Sequence, residues 1–154
     1  MIRMNKILFI CHGNICRSPM AEMVMKELVR RRGLEDCFTI ASCATSTEEI
    51  GNPVYPPARA ELARQNIPCE RRGARQITRL DYEEYDLLIC MDGNNLRNLR
   101  RIIPSDPAGK VHKLMEYAGS NADVADPWYT DRFDICYNDI LSGCEGLLNS
   151  LLKK

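Results

Sequence analysis

Short apolar runs and amphipathic stretches alternate along the 154 residues of the chain. Lys6–Ile10 is a compact apolar run without helical spacing, and it reads as a buried strand. Pro19 to about Arg32 follows as a helix, with Met20, Met23, Val24 and Leu28 on one face and Gly33 as its stop. Phe38–Ser42 is a second strand, and Cys43–Tyr55 a long polar loop punctuated by Gly51-Asn52-Pro53. A helix is expected from Pro56-Pro57 to Asn66, a helical turn around Leu80–Tyr85, and a third strand over Leu87–Met91. Asp92 or Asn94 then caps a helix that buries Leu96, Leu99 and Ile103 and stops at Pro104. Val111–Leu114 makes a short fourth strand, and Glu116–Thr130 a second long loop. The last helix runs from about Asp131 to Leu152, with Phe133, Tyr137, Ile140, Leu141, Cys144, Leu148 and Leu151 along one side. The irregular, basic stretch Cys69–Gln76 fits none of these patterns.

Strands that are apolar throughout are buried on both faces, and their alternation with helices implies βαβ units. The prediction is an α/β fold: one domain, residues 1–154, built on a small doubly wound four-stranded parallel sheet with helices on both faces. In such sheets ligands lie outside the carboxyl ends of the strands, near the point where strand order reverses.

Composition removes several function classes. With 21 basic and 21 acidic side chains, there is no electrostatic case for nucleic acid or a membrane surface. The clusters Arg30-Arg31-Arg32 and Arg97 with Arg100 and Arg101 read as solvated helix faces. No stretch approaches transmembrane length. The eight cysteines have no signal peptide before them, and several, such as Cys90, sit in apolar runs, so a reduced, cytoplasmic chain is expected. His12 and His112 are the only histidines, no zinc spacing occurs, and neither metal nor cofactor is expected.

The chemistry concentrates in Cys11-His12-Gly13-Asn14-Ile15-Cys16-Arg17-Ser18-Pro19. Cys11 and Arg17 are separated by five residues, a span that can curl so that backbone N–H groups point at one centre. The next helix adds its unpaired N-terminal donors, which suits an anion. Gly13 and Asn14 are the residue types that tolerate unusual backbone angles. The Arg17 fork can grip two oxygens of a tetrahedral anion, and a Cys11 thiolate at the floor should be stabilised below the free value of about 8.5. Ser18 is either the helix N-cap or a hydroxyl donor to the sulfur, and Pro19 suits the first helical position. Cys16 is either a filler behind the loop or a partner that traps an oxidised Cys11 as a disulfide.

A thiolate that displaces an alkoxide or phenolate gains from a positioned acid. The candidate is Asp126 in Ala125-Asp126-Pro127-Trp128-Tyr129, where Pro127 biases it toward extended backbone and the two aromatics wall a slot for a flat leaving group. Equally, Asp-Pro opens an ordinary turn and the aromatics pack on the core. Asp123, Asp131 and Asp134 are weaker rivals.

From the Cys11–Pro19 loop to Asp126-Pro127, by way of Ala44-Thr45-Ser46, Gly51-Asn52-Pro53, Ala74–Ile77, Cys90-Met91-Asp92 and Asn95-Leu96-Arg97, the chain resembles the low-molecular-weight protein tyrosine phosphatases nearly end to end. The resemblance implies strand order 2-1-3-4, Cys11 as nucleophile, Arg17 as phosphate clamp and Asp126 as general acid and then base. It also implies a loop-holding network of Asn14, Ser18 and Ser42. The cleft would be formed by His12, Gly13, Asn14, Ile15, Cys16, Arg17, Glu48, Trp128 and Tyr129, and it would take phosphotyrosine in proteins or peptides. Two positions depart from the family. Many relatives carry an aromatic where Glu48 stands, and often a histidine where Arg72 stands. The similar protein-arginine phosphatases tend to have threonine at Ile15. Arsenate reductases of this fold need a cysteine relay whose second member would fall at Arg97. A non-catalytic phosphate-binding module would not need the nucleophile.

Overall fold

A computed structural model describes residues 4–153. The strands are β1 (Asn5–Cys11), β2 (Phe38–Ala44), β3 (Leu87–Cys90) and β4 (Val111–Lys113). They form one fully parallel sheet in the order β2-β1-β3-β4. The helices are α1 (Arg17–Arg31), α2 (Pro56–Arg64), α3 (Arg79–Glu84), α4 (Gly93–Leu99), α5 (Pro127–Thr130) and α6 (Phe133–Leu152). The α/β expectation and the 2-1-3-4 order hold.

Because successive strand side chains point to opposite faces, β1 and β3 feed two separate cores. Ile7, Phe9 and Ile89 face α1, α2 and α6, among Met20, Met23, Val24, Leu62, Ile140 and Cys144. Leu8, Ile10, Leu88 and Cys90 face the other side, with Ile77, Tyr82, Leu99 and Ile103. The buried stripe of α6 includes Cys136, Gly143 and Leu147, while Leu141 and Leu151 lie at its margin. Glycine is required where α6 meets the 3₁₀ turn Leu114–Ala118. A Cβ on Gly146 would stand 1.9 Å from the Tyr117 carbonyl oxygen, and one on Gly143 would stand 2.5 Å from Leu114.

Several boundaries differ from expectation for local reasons. Helix α1 begins at Arg17, with Cys16 as a cap lacking any side-chain bond, so Ser18 is not the N-cap and Pro19 is the third helical residue. Proline is still free there, since the first turn's N–H groups have no intrahelical acceptor. Helix α2 ends at Arg64, and Asn66 turns the chain at φ 58°. The second long loop holds the Leu114–Ala118 turn and α5, and Asp131, at φ 60°, closes α5 rather than starting α6.

Residues 72–77 are a strap under the sheet's carboxyl end. Ala44 N–H donates to Arg75 O at 2.7 Å and Ile77 N–H to Ala44 O at 2.8 Å. Gly51 N–H reaches Ala74 O and Ala74 N–H reaches Asn52 O, each at 2.8 Å.

Candidate active site

Strand order reverses between β1 and β3, and the loops leaving both strands meet there. The Cys11–Arg17 loop has its carbonyls tied outward. Cys11 O accepts from Thr45 N–H, His12 O from Ser46 N–H, Ile15 O from Tyr55 N–H and Cys16 O from Met20 N–H, at 2.8–3.1 Å. Asn14 O accepts from Arg72 Nη2 at 2.7 Å. By contrast, the N–H groups of Gly13, Ile15 and Cys16 take no acceptor among the described residues. A loop with five carbonyls satisfied behind it and three N–H groups free has the geometry of an anion cradle.

Asn14 holds that shape. It is fully buried in the left-handed region at φ 62°, and its Nδ2 donates to Ser18 Oγ at 2.8 Å and Ser42 Oγ at 2.9 Å. Ser42 Oγ in turn donates to Glu22 Oε1 at 2.6 Å, and Lys26 Nζ holds the other Glu22 oxygen at 2.6 Å. From the strap, Arg72 Nη2 also bonds Asn14 Oδ1, and Arg75 N–H reaches the same oxygen at 3.3 Å. Arg72, which stands where the resemblance often has histidine, therefore supports Asn14. Burial lowers its pKa, opposed by the charges of Glu22 and Cys11.

Cys11 Sγ lies at the floor. Ser18 Oγ stands 3.0 Å from it, and the N–H groups of Asn14 and Ser18 donate to it at 3.3 and 3.4 Å. Of the two expectations for Ser18, the one realised is the hydroxyl placed against the sulfur, not the helix cap. Arg17 is 3% exposed. Its Nη1 donates to Asp92 Oδ2 at 2.7 Å and to Val124 O at 2.8 Å, and its Nη2 stands 3.5 Å from Asp126 Oδ2. Burial opposes its charge, but the Cys11 sulfur, the Asp92 bond and Asp126 outweigh that and raise its pKa. The guanidinium is thus fixed along one edge, leaving Nε and Nη2 for two oxygens of an anion. Asp92 meanwhile caps α4, accepting from Asn95 N–H at 2.7 Å.

Asp126 has extended backbone before Pro127, and its Oδ1 accepts from Trp128 N–H at 3.0 Å. Trp128 and Tyr129 do not pack into the core. They are 55% and 85% exposed and stand at the mouth, with Tyr55 against Trp128 at 5.1 Å between ring centres. The resulting cleft of about 240 Å³ gathers Cys11, His12, Gly13, Asn14, Ile15, Cys16, Arg17, Glu48, Asp126, Trp128 and Tyr129. Ser18 and Ser42 lie behind the loop, as supports. His12 Nε2 and Glu48 Oε2 pair at 2.7 Å across the rim. Cys16 is a free, buried thiol whose pKa burial, helped by the Cys11 charge, pushes up to about 12.

Sequence reasoning missed Glu49, which also lines the cleft, and Tyr55, Glu22 and the second task of Asp92. The signal of Asp92 is absorbed by its candidacy as a helix cap, and Tyr55 is only the last residue of the first long loop. Among the described residues no group of His, Cys, Asp and Glu could hold a metal ion, and no helix is long and apolar enough to cross a membrane.

A small α/β protein with a thiol at the floor of a tetrahedral-oxyanion cradle is the class that fold and cleft define. Residues 6–154 match the family model described as low molecular weight phosphotyrosine protein phosphatase. The chain is similar to the low molecular weight protein-tyrosine-phosphatase YfkJ of Bacillus subtilis, 36% identical over 153 residues covering 98% of each chain. The YfkJ crystal structure superposes with a TM-score of 0.93, covering 97% of this chain and 96% of that one. This chain is also 38% identical over 151 residues to the low molecular weight phosphotyrosine protein phosphatase of Schizosaccharomyces pombe, covering 95% of this chain and 96% of the relative. Vibrio vulnificus Wzb in complex with benzylphosphonate matches with a TM-score of 0.84 and 28% identity, covering 96% of this chain and 99% of that one. The chain belongs to the low molecular weight phosphotyrosine protein phosphatase family and is a protein-tyrosine phosphatase.

Proposed function

We propose that the chain hydrolyses phosphotyrosine monoesters in proteins or peptides through a cysteinyl-phosphate. Cys11 Sγ attacks phosphorus, and the bond from phosphorus to the tyrosyl oxygen breaks. Arg17 and the loop amides hold the three equatorial oxygens, and Asp126 delivers its proton to the leaving oxygen. Asp126, now a carboxylate, takes a proton from water as that water attacks phosphorus and the phosphorus–sulfur bond breaks. Inorganic phosphate leaves, with no cofactor required. The observation that carries this reading is the convergence of Ser18 Oγ and two backbone N–H groups on the Cys11 sulfur, beneath the fixed guanidinium. Trp128, Tyr129 and Ile15 form the apolar part of the mouth and suit an aryl group. The complex of Wzb with benzylphosphonate supports an aryl-bearing oxyanion at such a site.

Ile15 carries no hydroxyl for a guanidinium or its bound water, which favours phosphotyrosine over phosphoarginine. Cys16, lining the same cleft, fits the role of redox partner. Peroxide would oxidise Cys11 to a sulfenic acid, and Cys16 would displace water to form the disulfide. Eight free cysteines suit a reduced, cytoplasmic setting.

The test is turnover of phosphotyrosine and phosphoarginine peptides by wild type and Cys11→Ser. We expect phosphotyrosine to be the better substrate. Cys11→Ser should reduce turnover by at least ~10³-fold while retaining vanadate or phosphate binding. Near-normal turnover by that variant would refute the nucleophile, and faster phosphoarginine hydrolysis would refute the substrate.

A further inference from the structure

The His12–Glu48 pair is a ridge with a pocket on either side, since both residues line the cleft and also a second pocket of about 420 Å³. Beyond the ridge the walls are Thr45, Ser46, Gln76, Asn98 and Arg101. Their chemistry differs from that of the cleft. Apart from Glu48, no carboxylate lines this pocket, and Glu48 is engaged by His12. Arg101 is exposed and forms no ion pair with any described residue. In that respect it differs from Arg17, Arg75 and Arg132, which each hold an aspartate. Thr45 is 7% exposed, and its Oγ1 is a buried hydroxyl with no hydrogen-bond partner. Gln76 is held in place by the bond from its Nε2 to Thr45 O at 3.0 Å.

An unpaired guanidinium and an asparagine amide at one opening, with an unpartnered Thr45 hydroxyl buried in its wall, call for a ligand rich in acceptors, and a carboxylate meets that need best. Position then narrows the ligand. His12 directly follows Cys11, so the pocket begins about one residue's reach from the phosphate loop. An extended peptide advances roughly 3.3–3.6 Å per residue. A side chain entering this pocket would therefore be one to three positions from the phosphotyrosine.

We propose that this pocket is a specificity subsite for an acidic side chain flanking the phosphotyrosine, with Arg101 as its charge-bearing residue. The assignment rests on the phosphotyrosine reading of the main cleft and adds the class of sequence that the cleft prefers. The Arg101 that sequence alone gives to a solvated helix face thus has a specific counterpart. Glu48 sits on the ridge as a wall that His12 holds, so it does not fill the subsite itself.

The experiment compares kcat/KM for three phosphotyrosine peptides that differ only in flanking residues: aspartate or glutamate, alanine, and lysine. Wild type and Arg101→Glu are assayed on each, and p-nitrophenyl phosphate serves as a substrate with no flanking residue. For wild type at low salt we expect the acidic peptide to exceed the alanine peptide about fivefold, the upper end for an exposed ion pair. The ratio should shrink with added salt. Arg101→Glu should abolish or invert the preference and leave p-nitrophenyl phosphate hydrolysis unchanged. Equal rates on the three peptides, a preference for lysine, or an acidic preference that survives in Arg101→Glu would each overturn the subsite. Loss of p-nitrophenyl phosphate turnover in wild type would instead overturn the phosphatase mechanism, so the two failures are distinguishable.

Discussion

The loop that carries Cys11 and the loop that carries Asp126 face the same cleft, yet they are built in opposite ways. The first is a continuous seven-residue turn whose key groups are sunk in protein. Asn14 is held by Ser18, Ser42, Arg72 and Arg75, and its neighbours' carbonyls are bonded from behind. The second is a single-turn helix, α5, with its aromatics in solvent, and Asp126 is fixed mainly by Trp128 N–H and a long contact to Arg17. The difference follows the chemistry proposed above. A cradle for a phosphoryl group must be in shape before the substrate arrives, because reorganisation would consume binding energy. A proton donor must accommodate leaving groups of differing size and can be exposed. Errors in the first loop should therefore damage fold and reaction together, whereas errors in the second should damage the reaction alone.

Four measurements would break or sharpen that contrast. Asp126→Ala should lower kcat on phosphotyrosine peptides by roughly 10²–10⁴-fold, and by far less on esters of acidic phenols that leave without help. Its melting temperature should stay within about 2 °C of wild type. An equal loss on every ester would move the acid elsewhere. Asn14→Ala should reduce turnover of good and poor leaving groups alike by about tenfold. It should also cost about 1–3 kcal/mol of stability, because Ser42, Arg72 and the Arg75 N–H lose a buried partner. A stable Asn14→Ala protein that had lost only activity would contradict the description of the loop as part of the core. Trp128→Ala should raise KM for phosphotyrosine peptides a few-fold, about 1 kcal/mol of aromatic contact, with kcat and melting temperature little changed. A fall in kcat with constant KM would show the wall acting in the transition state.

The smallest effect concerns acid stability of the strap beneath the first loop. Burial pushes the Asp81 carboxyl up, but Arg75, bonded at 3.0 Å, and Thr78 outweigh it and hold its pKa below the ordinary value. A depressed folded pKa means that this stabilisation is complete above the unfolded value of about 3.9 and disappears as pH falls through the lower folded value. Asp81→Asn should therefore flatten the stability profile on the acid side of about pH 4. A profile identical to wild type would remove Asp81 from the account.

How much of this was legible follows from how far apart the partners lie. Strands β1 to β3 announced themselves as apolar runs, and the Cys11–Arg17 loop is readable because all its parts are consecutive. Asp126 was readable as a candidate only, since Asp-Pro also begins ordinary turns, and sequence left open whether Trp128 and Tyr129 pack inward. Beyond the family resemblance at Arg72 and Ala74–Ile77, the strap at 72–77 was illegible because its bonds go to Ala44, Gly51 and Asn14, all more than twenty residues distant, with no periodic pattern. Sequence left the helix cap open between Asp92 and Asn94; it is Asp92, and the cap alone gives no hint of the Arg17 bond. Ser18 was ambiguous between cap and sulfur partner until the start of α1 at Arg17 put it inside the helix.

The seam where Gly143 and Gly146 lie against Leu114 and Tyr117 has a reach beyond packing. The segment bearing Asp126 leaves from one side of that seam and returns into the other, so Asp126 inherits its location from two glycines with no chemistry of their own. A methyl group wedged there would push on the chain that carries Asp126 at both of its ends, whereas the sulfur's cradle is tied to Ser42, Thr45, Ser46 and Tyr55 on the far side of β1. An enzyme that still gripped oxyanions but had lost its touch with reluctant leaving groups would thus be pointing at its C-terminal helix.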